Sequence, residues 1–464
     1  MQIRCAQLFF NVLIVLAALS HVRVRAEPPA TLQPIDALKL IEQARIDIFK
    51  NASPSVVILE VELAPDAADA EPDPEPSKRL GKTDPVRSEG SGFVVRSNGV
   101  LLTNLHVVAQ AQRIGVRFKD GRRMEARLLG SDERTDVAVL RVDAQGLPEL
   151  QFADSDAAMV GQFVCAIGVP FGQEWSFTSG LLSGKGRSRL LSPKSPLPLY
   201  EDYLQTDAVI NPGHSGGPLL DSAGRVLGMN TLIARAEHGL AFAVPSNLLQ
   251  QTVGQILETG RVTRPWLGIR AETLGETSAL RDRLADAKSG VVVLAIEADG
   301  PAFKTDLRPA DVIRALDGKP VQSALELQRA LFERQAGQTV RLDIWRQGVQ
   351  KAVRIELTQL PETPQILSEA EHAPRLKDSP SDKLGMTLKE IKGRGVRVET
   401  VAEGSRAAKL ELQPQDIITE IDGRLVRSAA ECLSTLRSAT ARAGEGGKLV
   451  QIERQGRRTF ILWR

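Results

Sequence analysis

The chain has 464 residues, of which 42% are hydrophobic and 25% are charged, and its formal net charge is +2. This length suits about three domains of ~150 residues, each with a hydrophobic core. A net charge so close to zero, without a run of basic residues, excludes a nucleic-acid-binding surface of the usual electrostatic kind.

The N-terminal segment has the pattern of a signal peptide. Arg4 precedes an apolar run, Leu8–Leu19, that is too short for a comfortable membrane span. Val24-Arg25-Ala26 ends in a small residue, as a signal-peptidase site does. We therefore predict removal of residues 1–26 and export of the remainder. Cleavage after Ser20 and retention as a membrane anchor are the open alternatives.

Three cysteines are too few for a disulfide framework. Cys5 lies in the predicted signal peptide, and Cys165 and Cys432 are far apart in the chain. The apolar setting of Cys165, QFVCAIG, predicts a buried strand residue and not a reactive thiol.

Helix and strand patterns follow one another along the chain. Apolar residues recur at helical spacing over 35–50, which predicts a short amphipathic helix, and 56–63 is a β-type run. Residues 64–89 are rich in proline and acidic residues, so we predict a long surface loop. From 90 to 253, short β-type runs alternate with glycine, asparagine and proline turns. Many short strands without long helices between them indicate antiparallel barrels or a sandwich.

An internal repeat occupies the C-terminal half. Residues 290–331 and 395–436 align without a gap, and the segment before each turn recurs as LRPADVIRALDG and LQPQDIITEIDG. Shared ancestry explains this better than chance, and two copies are too few for a solenoid. We predict tandem domains, each with strands, a short helix and a final amphipathic helix. A Pro- and Glu-rich linker separates them.

Three residues in the β-rich region fit the chemistry of acyl transfer. His106 ends the apolar run LLTNLHVV, Asp136 begins DVAVLRV, and Ser215 lies in NPGHSGGPL. A serine hydroxyl needs a neighbouring imidazole to take its proton, and that imidazole needs a carboxylate to orient it. The N–H groups of the glycine-rich loop could stabilise the oxyanion.

Each of these residues also has an ordinary structural explanation. A histidine at a strand end, an aspartate before a strand and a GHSGG turn are all common in loops. Their joint occurrence in one β-rich region favours catalysis. The sequence contains no HExxH, CxxC or phosphate-loop motif, so we predict neither a metal nor another cofactor.

The chain resembles the HtrA/Deg family of exported serine proteases. The matching motifs are GSGFVVRSNGVLLTNLHVV, DVAVLRV, IGVPFG, QTDAVINPGHSGGPLLD and GLAFAVP, in that order. The resemblance implies a mainly β fold, a chymotrypsin-like double β-barrel followed by two PDZ domains that are small α+β barrels. The expected boundaries are 1–26 (signal peptide), 27–63 (N-terminal helix and first strand), 64–89 (acidic loop), 90–258 (trypsin-like protease domain), 259–360 (first PDZ domain), 361–382 (linker) and 383–464 (second PDZ domain).

The resemblance also assigns roles to residues. It implies that His106 is the general base, Asp136 its orienting carboxylate and Ser215 the nucleophile. The oxyanion loop would comprise Gly213, His214 and Ser215, and the substrate pocket Val209, Leu240, Ala241 and Phe242. His214 stands where the family usually has asparagine, which puts the loop's activity in question. Val209 at the pocket base predicts cleavage after small aliphatic residues.

The tandem domains resemble PDZ domains that capture peptide C-termini. The expected carboxylate-binding loop of the first is Trp266-Leu267-Gly268-Ile269, and a weaker match in the second is 384–387. The resemblance implies a periplasmic, ATP-independent endopeptidase that degrades unfolded or misfolded proteins and forms a homotrimer or a larger homo-oligomer. The alternative function is that of a non-proteolytic chaperone or scaffold. For the second PDZ domain, the alternative is a purely structural or oligomer-forming role.

Overall fold

The computed structural model describes residues 34–63, 87–170, 174–188, 200–231, 240–275, 284, 287–361, 384–438 and 447–463. The predicted signal peptide, most of the acidic loop and the interdomain linker lie outside these ranges. None of the helices within them is long and apolar enough to cross a membrane.

The first barrel contains the predicted base and its carboxylate. Its strands follow the closed order β1-β2-β3-β6-β5-β4, with every neighbouring pair antiparallel. The short helix α2 (Leu105–Val108) leaves the end of β3. The strands are β1 (Val56–Leu63), β2 (Arg87–Arg96), β3 (Val100–Asn104), β4 (Ala111–Arg117), β5 (Arg123–Asp132) and β6 (Val137–Val142).

The second barrel contains the predicted nucleophile. Its closed strand order is β10-β11-β12-β9-β8-β7, so both barrels use the predicted antiparallel arrangement. The strands are β7 (Phe163–Gly168), β8 (Ser176–Arg187), β9 (Tyr203–Thr206), β10 (Pro218–Leu220), β11 (Val226–Thr231) and β12 (Ala241–Pro245). Cys165 is fully buried in β7, which confirms the prediction made for it.

Strand alternation divides the core of the two barrels into three layers. In β1, Val56 faces the layer between the barrels, whereas Val57 faces the interior of the first barrel. In β7, Cys165 joins the layer between the barrels and Val164 fills the second barrel. Successive side chains of a strand point to opposite faces. Both faces of these strands are buried, so successive positions are apolar. The predicted site residues lie at the junction where the two barrels meet, which is called the cleft below.

Two longer helices flank the barrels. Helix α1 (Pro34–Ala52) matches the helix predicted over 35–50. Its C-terminal part packs on the barrels, where Ile48 and Ala52 are buried. Helix α3 (Ser246–Thr259) follows β12 and buries its apolar face against the barrels. Gly260 ends α3 in a left-handed conformation (φ 77°), the usual glycine C-cap.

The first repeat is a compact sheet with one main helix. Its helix α4 (Ala324–Phe332) covers the apolar cluster that fills the domain. Ser323 caps α4 by accepting the Glu326 N–H at 3.2 Å. The strands are β13 (Pro265–Trp266), β14 (Ile269–Thr273), β15 (Val291–Ile296), β16 (Val312–Leu316), β17 (Lys319–Pro320), β18 (Thr339–Arg346), β19 (Val349–Glu356) and β20 (Thr358–Gln359).

The second repeat has the same plan, as its sequence predicts. The short helix α5 (Arg406–Lys409) and the longer α6 (Ala429–Ser438) cover a second apolar cluster. The strands are β21 (Met386–Ile391), β22 (Gly395–Val401), β23 (Ile417–Ile421), β24 (Arg424–Leu425), β25 (Lys448–Arg454) and β26 (Arg457–Trp463). The two repeats are not independent sheets, because β15 pairs with β26 and joins them into a single 12-stranded sheet.

Candidate active site

His106 and Asp136 are in direct contact at the mouth of the cleft. The Nδ1 atom of His106 lies 2.6 Å from Oδ2 of Asp136, and the backbone N–H of His106 donates to Oδ1 at 2.9 Å. One carboxylate therefore fixes both the ring and the backbone of the same histidine. The bond at Nδ1 leaves Nε2 as the atom that can accept a proton from a nucleophile. The two side chains are 39% and 26% exposed, so they face the cleft and not the core.

The backbone of Asp136 is held in an uncommon conformation. Its φ is 56°, in the left-handed region that aspartate tolerates better than most residues. Its carbonyl accepts the Leu105 N–H at 3.0 Å and the Asn104 side-chain amide at 3.0 Å. These bonds join the start of β6 to the end of β3, so the local fold presents the carboxylate to α2.

The second barrel also contacts this carboxylate. The hydroxyl of Thr231, at the end of β11, donates to Oδ2 of Asp136 at 3.2 Å. Thr231 was not predicted as a site residue, although it lies in the β-type run GRVLGMNTLI. Its role depends on a contact between residues 95 positions apart, which no local pattern displays.

Ser215 lies in a loop whose conformation requires glycine. Gly213 has a φ of 94°, and a Cβ there would lie 2.2 Å from the Val169 carbonyl oxygen. Gly216 has a φ of 80°, and a Cβ there would lie 2.2 Å from the Ser91 carbonyl oxygen. Both glycines are therefore needed for close backbone approach as well as for positive φ.

The Ser215 hydroxyl is buried and has no hydrogen-bond partner among the described residues. The structure thus joins His106 to Asp136 but does not close the bond from Ser215 to His106. Hydrogen bonds between catalytic groups are often long in a ligand-free site and shorten when substrate binds. A buried hydroxyl without a structural partner is available for chemistry.

Ser91, in β2 of the first barrel, holds the nucleophile loop from across the cleft. Its hydroxyl donates to the Gly213 carbonyl at 2.6 Å and accepts the Val169 N–H at 3.0 Å. Its backbone N–H donates to the Ser215 carbonyl at 3.0 Å. Ser91 belongs to the motif GSGFVVRSNGVLLTNLHVV, but its contact with Gly213 spans 122 positions and was not predicted.

Asn230 supports the same loop from within the second barrel. Its side-chain amide donates to the Pro218 carbonyl at 3.1 Å, and its backbone N–H donates to the Gly217 carbonyl at 2.8 Å. The Gly216 N–H donates in turn to the Asn230 carbonyl at 2.9 Å. The loop after Ser215 is therefore fixed by β11, whose last residue, Thr231, contacts Asp136.

His214, predicted to belong to the oxyanion loop, is buried. The side chain packs against the backbone of Gly168, where an added Cβ would lie 2.9 Å from Cδ2 of the ring. Its Nδ1 lies 3.3 Å from the carbonyl oxygen of Asn211, and its Nε2 has no hydrogen-bond partner within the part of the chain that the structure describes. Burial lowers the pKa of His214, so the neutral imidazole is the favoured form.

The predicted pocket residues divide between surface and core. Val209 and Leu240 are 57% and 44% exposed. Ala241 and Phe242 are buried in β12, and the Phe242 ring packs against the Tyr203 ring with centroids 6.4 Å apart. Val209 and Leu240 therefore present apolar side chains to solvent. The Phe242 side chain instead belongs to the core between the barrels.

The two predicted carboxylate-binding loops use the same backbone bonds. In the first repeat, the Leu267 and Gly268 carbonyls accept the N–H groups of Ala302 and Glu297 at 3.0 and 2.8 Å. In the second repeat, the Leu384 and Gly385 carbonyls accept the N–H groups of Ala407 and Ala402 at 3.2 and 2.8 Å. Both segments therefore form the same loop, which the weaker sequence match of the second had left open.

Helix α4 of the first repeat docks on the protease domain. Arg329 donates to both carboxylate oxygens of Asp202 at 2.6 and 2.7 Å, and this bonding raises the pKa of Arg329. The Phe332 ring packs against the Tyr200 ring with centroids 5.4 Å apart. Asp202 immediately precedes β9, so the first repeat contacts the barrel that contains Ser215.

Comparison with known families matches three parts of the chain. Residues 90–229 match a trypsin-like peptidase domain, and residues 265–357 and 397–443 each match a PDZ domain. The matches cover His106, Asp136 and Ser215, the first repeat and part of the second.

Relatives and solved structures agree with these matches. A probable periplasmic serine endoprotease DegP-like from Ectopseudomonas mendocina (strain ymp) is 35% identical over 396 residues, which is 83% of this chain and 81% of the relative. A protein of the same name from Rhizobium meliloti (strain 1021) is 33% identical over 81% of this chain and 75% of the relative. The solved structure of the HtrA-type protease AlgW with tripeptide is 34% identical, has a TM-score of 0.58, and matches 68% of this chain and 97% of its own.

Proposed function

Because the chain belongs to the HtrA family of DegP-like serine endoproteases, we propose that His106, Asp136 and Ser215 are its catalytic triad. The observation that carries this proposal is the 2.6 Å contact between His106 and Asp136. Beside it, the loop presents a buried serine hydroxyl that no described residue engages. These are the groups that acyl transfer requires, on the two sides of one cleft.

The reaction begins when Ser215 Oγ attacks the carbonyl carbon of the scissile peptide bond. The hydroxyl proton passes to Nε2 of His106, and Asp136 stabilises the resulting imidazolium through Nδ1. The N–H groups of Gly213 and Ser215 stabilise the negative charge on the tetrahedral oxygen. Collapse breaks the C–N bond as His106 gives its proton to the leaving amine. Water then attacks the acyl carbon as His106 takes its proton, and the C–Oγ bond breaks as His106 returns that proton to Ser215.

The substrates are unfolded or misfolded proteins cut after small aliphatic residues. The support is the apolar character of Val209, Leu240, Ala241 and Phe242 and the absence of an acidic side chain from this set. Apolar residues that fit such a pocket are buried in folded proteins, so unfolding exposes cleavage sites. The periplasm is the proposed compartment because the relatives are named periplasmic proteases.

The PDZ domains capture peptide C-termini and thereby regulate the protease. The similar protease AlgW has been solved with a tripeptide and with a decapeptide. In this chain the helix α4 joins the first PDZ domain to Asp202 and Tyr200. A peptide that displaces α4 would act on the start of β9, which leads through Val209 to the nucleophile loop.

The proposed assembly is a homotrimer or a larger homo-oligomer. The support is helix α1, whose N-terminal part presents large apolar side chains to solvent. An apolar face of this kind on a single chain indicates contact with another copy. The exposed side chains are Ile35, Leu38, Leu40, Ile41 and Ile46.

Cleavage of unfolded casein by the purified protein tests the proposed activity. We expect fragments from the native protein and none from Ser215→Ala, because the alanine lacks the attacking oxygen. Protection of an unfolded client by Ser215→Ala would add a holding function to the protease. Cleavage that persists in Ser215→Ala would remove the proposed nucleophile.

A further inference from the structure

The two PDZ domains meet by strand addition. The start of β15 pairs with β16 through Val291 and Val292. Val293 then bonds to Ala310 and Asp311, just before β16 begins. The end of β15 pairs instead with β26 of the second domain, Ala295 with Thr459 and Ile296 with Arg458. An exposed strand edge is a site where an extended segment can add, and here the segment comes from the same chain.

Side chains reinforce this pairing at three points. The Thr459 hydroxyl donates to the Leu294 carbonyl at 3.0 Å. The Arg458 guanidinium lies 4.0 Å from the centre of the Phe303 ring. Arg457 donates to the carboxylate of Glu297 at 2.7 Å. Each of these three side chains belongs to β26. Two further bonds join the domains from neighbouring strands, because Gln451 donates to the Pro309 carbonyl at 2.8 Å and Arg308 donates to the Glu420 carboxylate at 2.9 Å.

An apolar cluster lies beside the joined strands. Leu449 and Phe460 of the second domain pack with Val292, Leu294 and Val312 of the first. Burial of these side chains removes apolar surface from water, which is the main favourable term in association. The contact therefore combines backbone pairing, charge and an apolar centre.

The repeat provides an internal comparison for β26. Its counterpart in the first domain is β19, because Arg346 and Arg454 make the same paired bonds, to Asp311 and Asp416 respectively. From these anchors, Leu449, Arg458, Thr459 and Phe460 correspond to Arg341, Gln350, Lys351 and Ala352. The counterparts in β19 are exposed, and among the described strands β19 pairs only with β18.

The accepting surface is equally specific to the first domain. Leu294 and Phe303 correspond to Glu399 and Ala408 in the second domain. A glutamate and an alanine provide neither the apolar contact nor the ring that Arg458 covers. The second domain therefore provides the added strand, and the first provides the strand edge that it pairs with. The residues responsible lie at positions where the two repeats differ.

The docked strand lies directly behind the loop predicted to bind carboxylates. Ile296 pairs with Arg458 on one side and with Ile269 of the loop on the other. The next residue, Glu297, donates its N–H to the Gly268 carbonyl, while its side chain accepts from Arg457. The end of β15 and the residue after it therefore link β26 to the loop.

We propose that the second PDZ domain braces the first: strand β26 adds to β15 in the same chain and holds the loop Trp266–Ile269 in its binding conformation. This role differs from peptide capture by the second domain and does not depend on it.

Disulfide cross-linking tests the docking. In Ala295→Cys/Thr459→Cys, the two Cβ atoms of a cross-strand pair lie about 4.5–5.5 Å apart, close to the reach of a disulfide. We expect an intrachain bond, seen as a reducible shift of the monomer band. The matched control is Ala295→Cys/Lys351→Cys, which uses the first-domain counterpart of Thr459 and should not cross-link. No bond in the first pair, or bonds between chains only, would overturn docking within the chain.

Amide hydrogen exchange tests the bracing. The variant Arg458→Gln/Thr459→Lys/Phe460→Ala gives β26 the residues that β19 already has, so the second domain should still fold. We expect exchange in the fragment that contains Trp266–Ile269 to become about tenfold faster, with exchange in the 384–387 loop unchanged. Lys351→Ala in β19 is the control and should change neither fragment. Unchanged exchange at Trp266–Ile269 would overturn the bracing role, and because no ligand is added, the result is independent of peptide capture.

Discussion

The two barrels of the protease domain hold the proposed catalytic groups in different ways. The first barrel fixes His106 by side-chain bonds to Asp136. The second barrel fixes Ser215 almost entirely through the backbone of its loop, and the serine side chain itself bonds to none of the described residues. The proposed base is therefore anchored directly, whereas the proposed nucleophile and oxyanion loop depend on the residues around them.

Each barrel also reaches across to complete the other. Ser91 of the first barrel bonds to Gly213 of the second, and Thr231 of the second bonds to Asp136 of the first. The contact at Gly213 fixes a loop that is held mainly through its backbone, whereas the contact at Asp136 adds to an already strong pair. We therefore expect the two reciprocal contacts to differ in importance, and the following variants measure that difference.

The largest loss of kcat should come from a change in the pair His106 and Asp136, which bond directly to each other. Asp136→Asn removes the carboxylate that sets the His106 tautomer and stabilises its charged form. We expect kcat to fall about ten-thousand-fold, as the same change does in a comparable triad. Cleavage of a short fluorogenic peptide measures it, with the exposed Asp143→Asn as control. A loss below about tenfold would show that Asp136 is not the orienting carboxylate.

Ser91→Ala tests the support of the nucleophile loop. The change removes the Ser91 hydroxyl from the Gly213 carbonyl and the Val169 N–H, so the predicted oxyanion loop is held less firmly, by its backbone bonds alone. We expect kcat to fall by about 10- to 100-fold with little change in KM, because the loop acts mainly in the transition state. Ser88→Ala, in the same strand β2, is the matched control. A rise in KM at constant kcat would instead place Ser91 in substrate binding.

Thr231→Val tests the opposite contact with a side chain of the same shape. Asp136 keeps its two bonds to His106 and loses one weak donor. We expect kcat to fall about threefold to tenfold, the value of one ordinary hydrogen bond. Thr252→Val should leave kcat unchanged, because that buried hydroxyl bonds to nothing in the described ranges. If Thr231→Val costs more than Ser91→Ala, the proposed difference between the barrels is wrong.

His214→Asn should have the smallest effect on activity and a measurable effect on acid stability. Burial lowers the pKa of His214 in the folded protein, so the unfolded state binds the proton more readily. Stability is therefore retained above the unfolded pKa of about 6.5 and lost as the pH falls below it. Between pH 8 and pH 5, we expect the Tm of the native protein to fall about 2–4 °C further than that of the variant. Equal pH dependence would show that His214 protonates freely in the fold.

The sequence revealed the residues that lie in local motifs and missed those that act over long separations. The helix predicted over 35–50, the barrel class and the repeat were confirmed, because each depends on periodicity or on similarity along the chain. Ser91 and Thr231 contact partners 122 and 95 positions away, which only the closed barrels bring together. The docking of β26 on β15 was also missed, because the repeat was recognised by its shared residues and the docking uses the residues that differ.

The measurement that tests the central claim most directly is reaction with a fluorophosphonate, followed by mass mapping of the labelled peptide. The probe reacts with a serine only when a base and an oxyanion site are assembled around it. We predict one adduct on Ser215, lost in Ser215→Ala and strongly reduced in Asp136→Asn. An adduct on another serine, or casein cleavage by a protein whose Ser215 remains unlabelled, would contradict the assignment of the nucleophile.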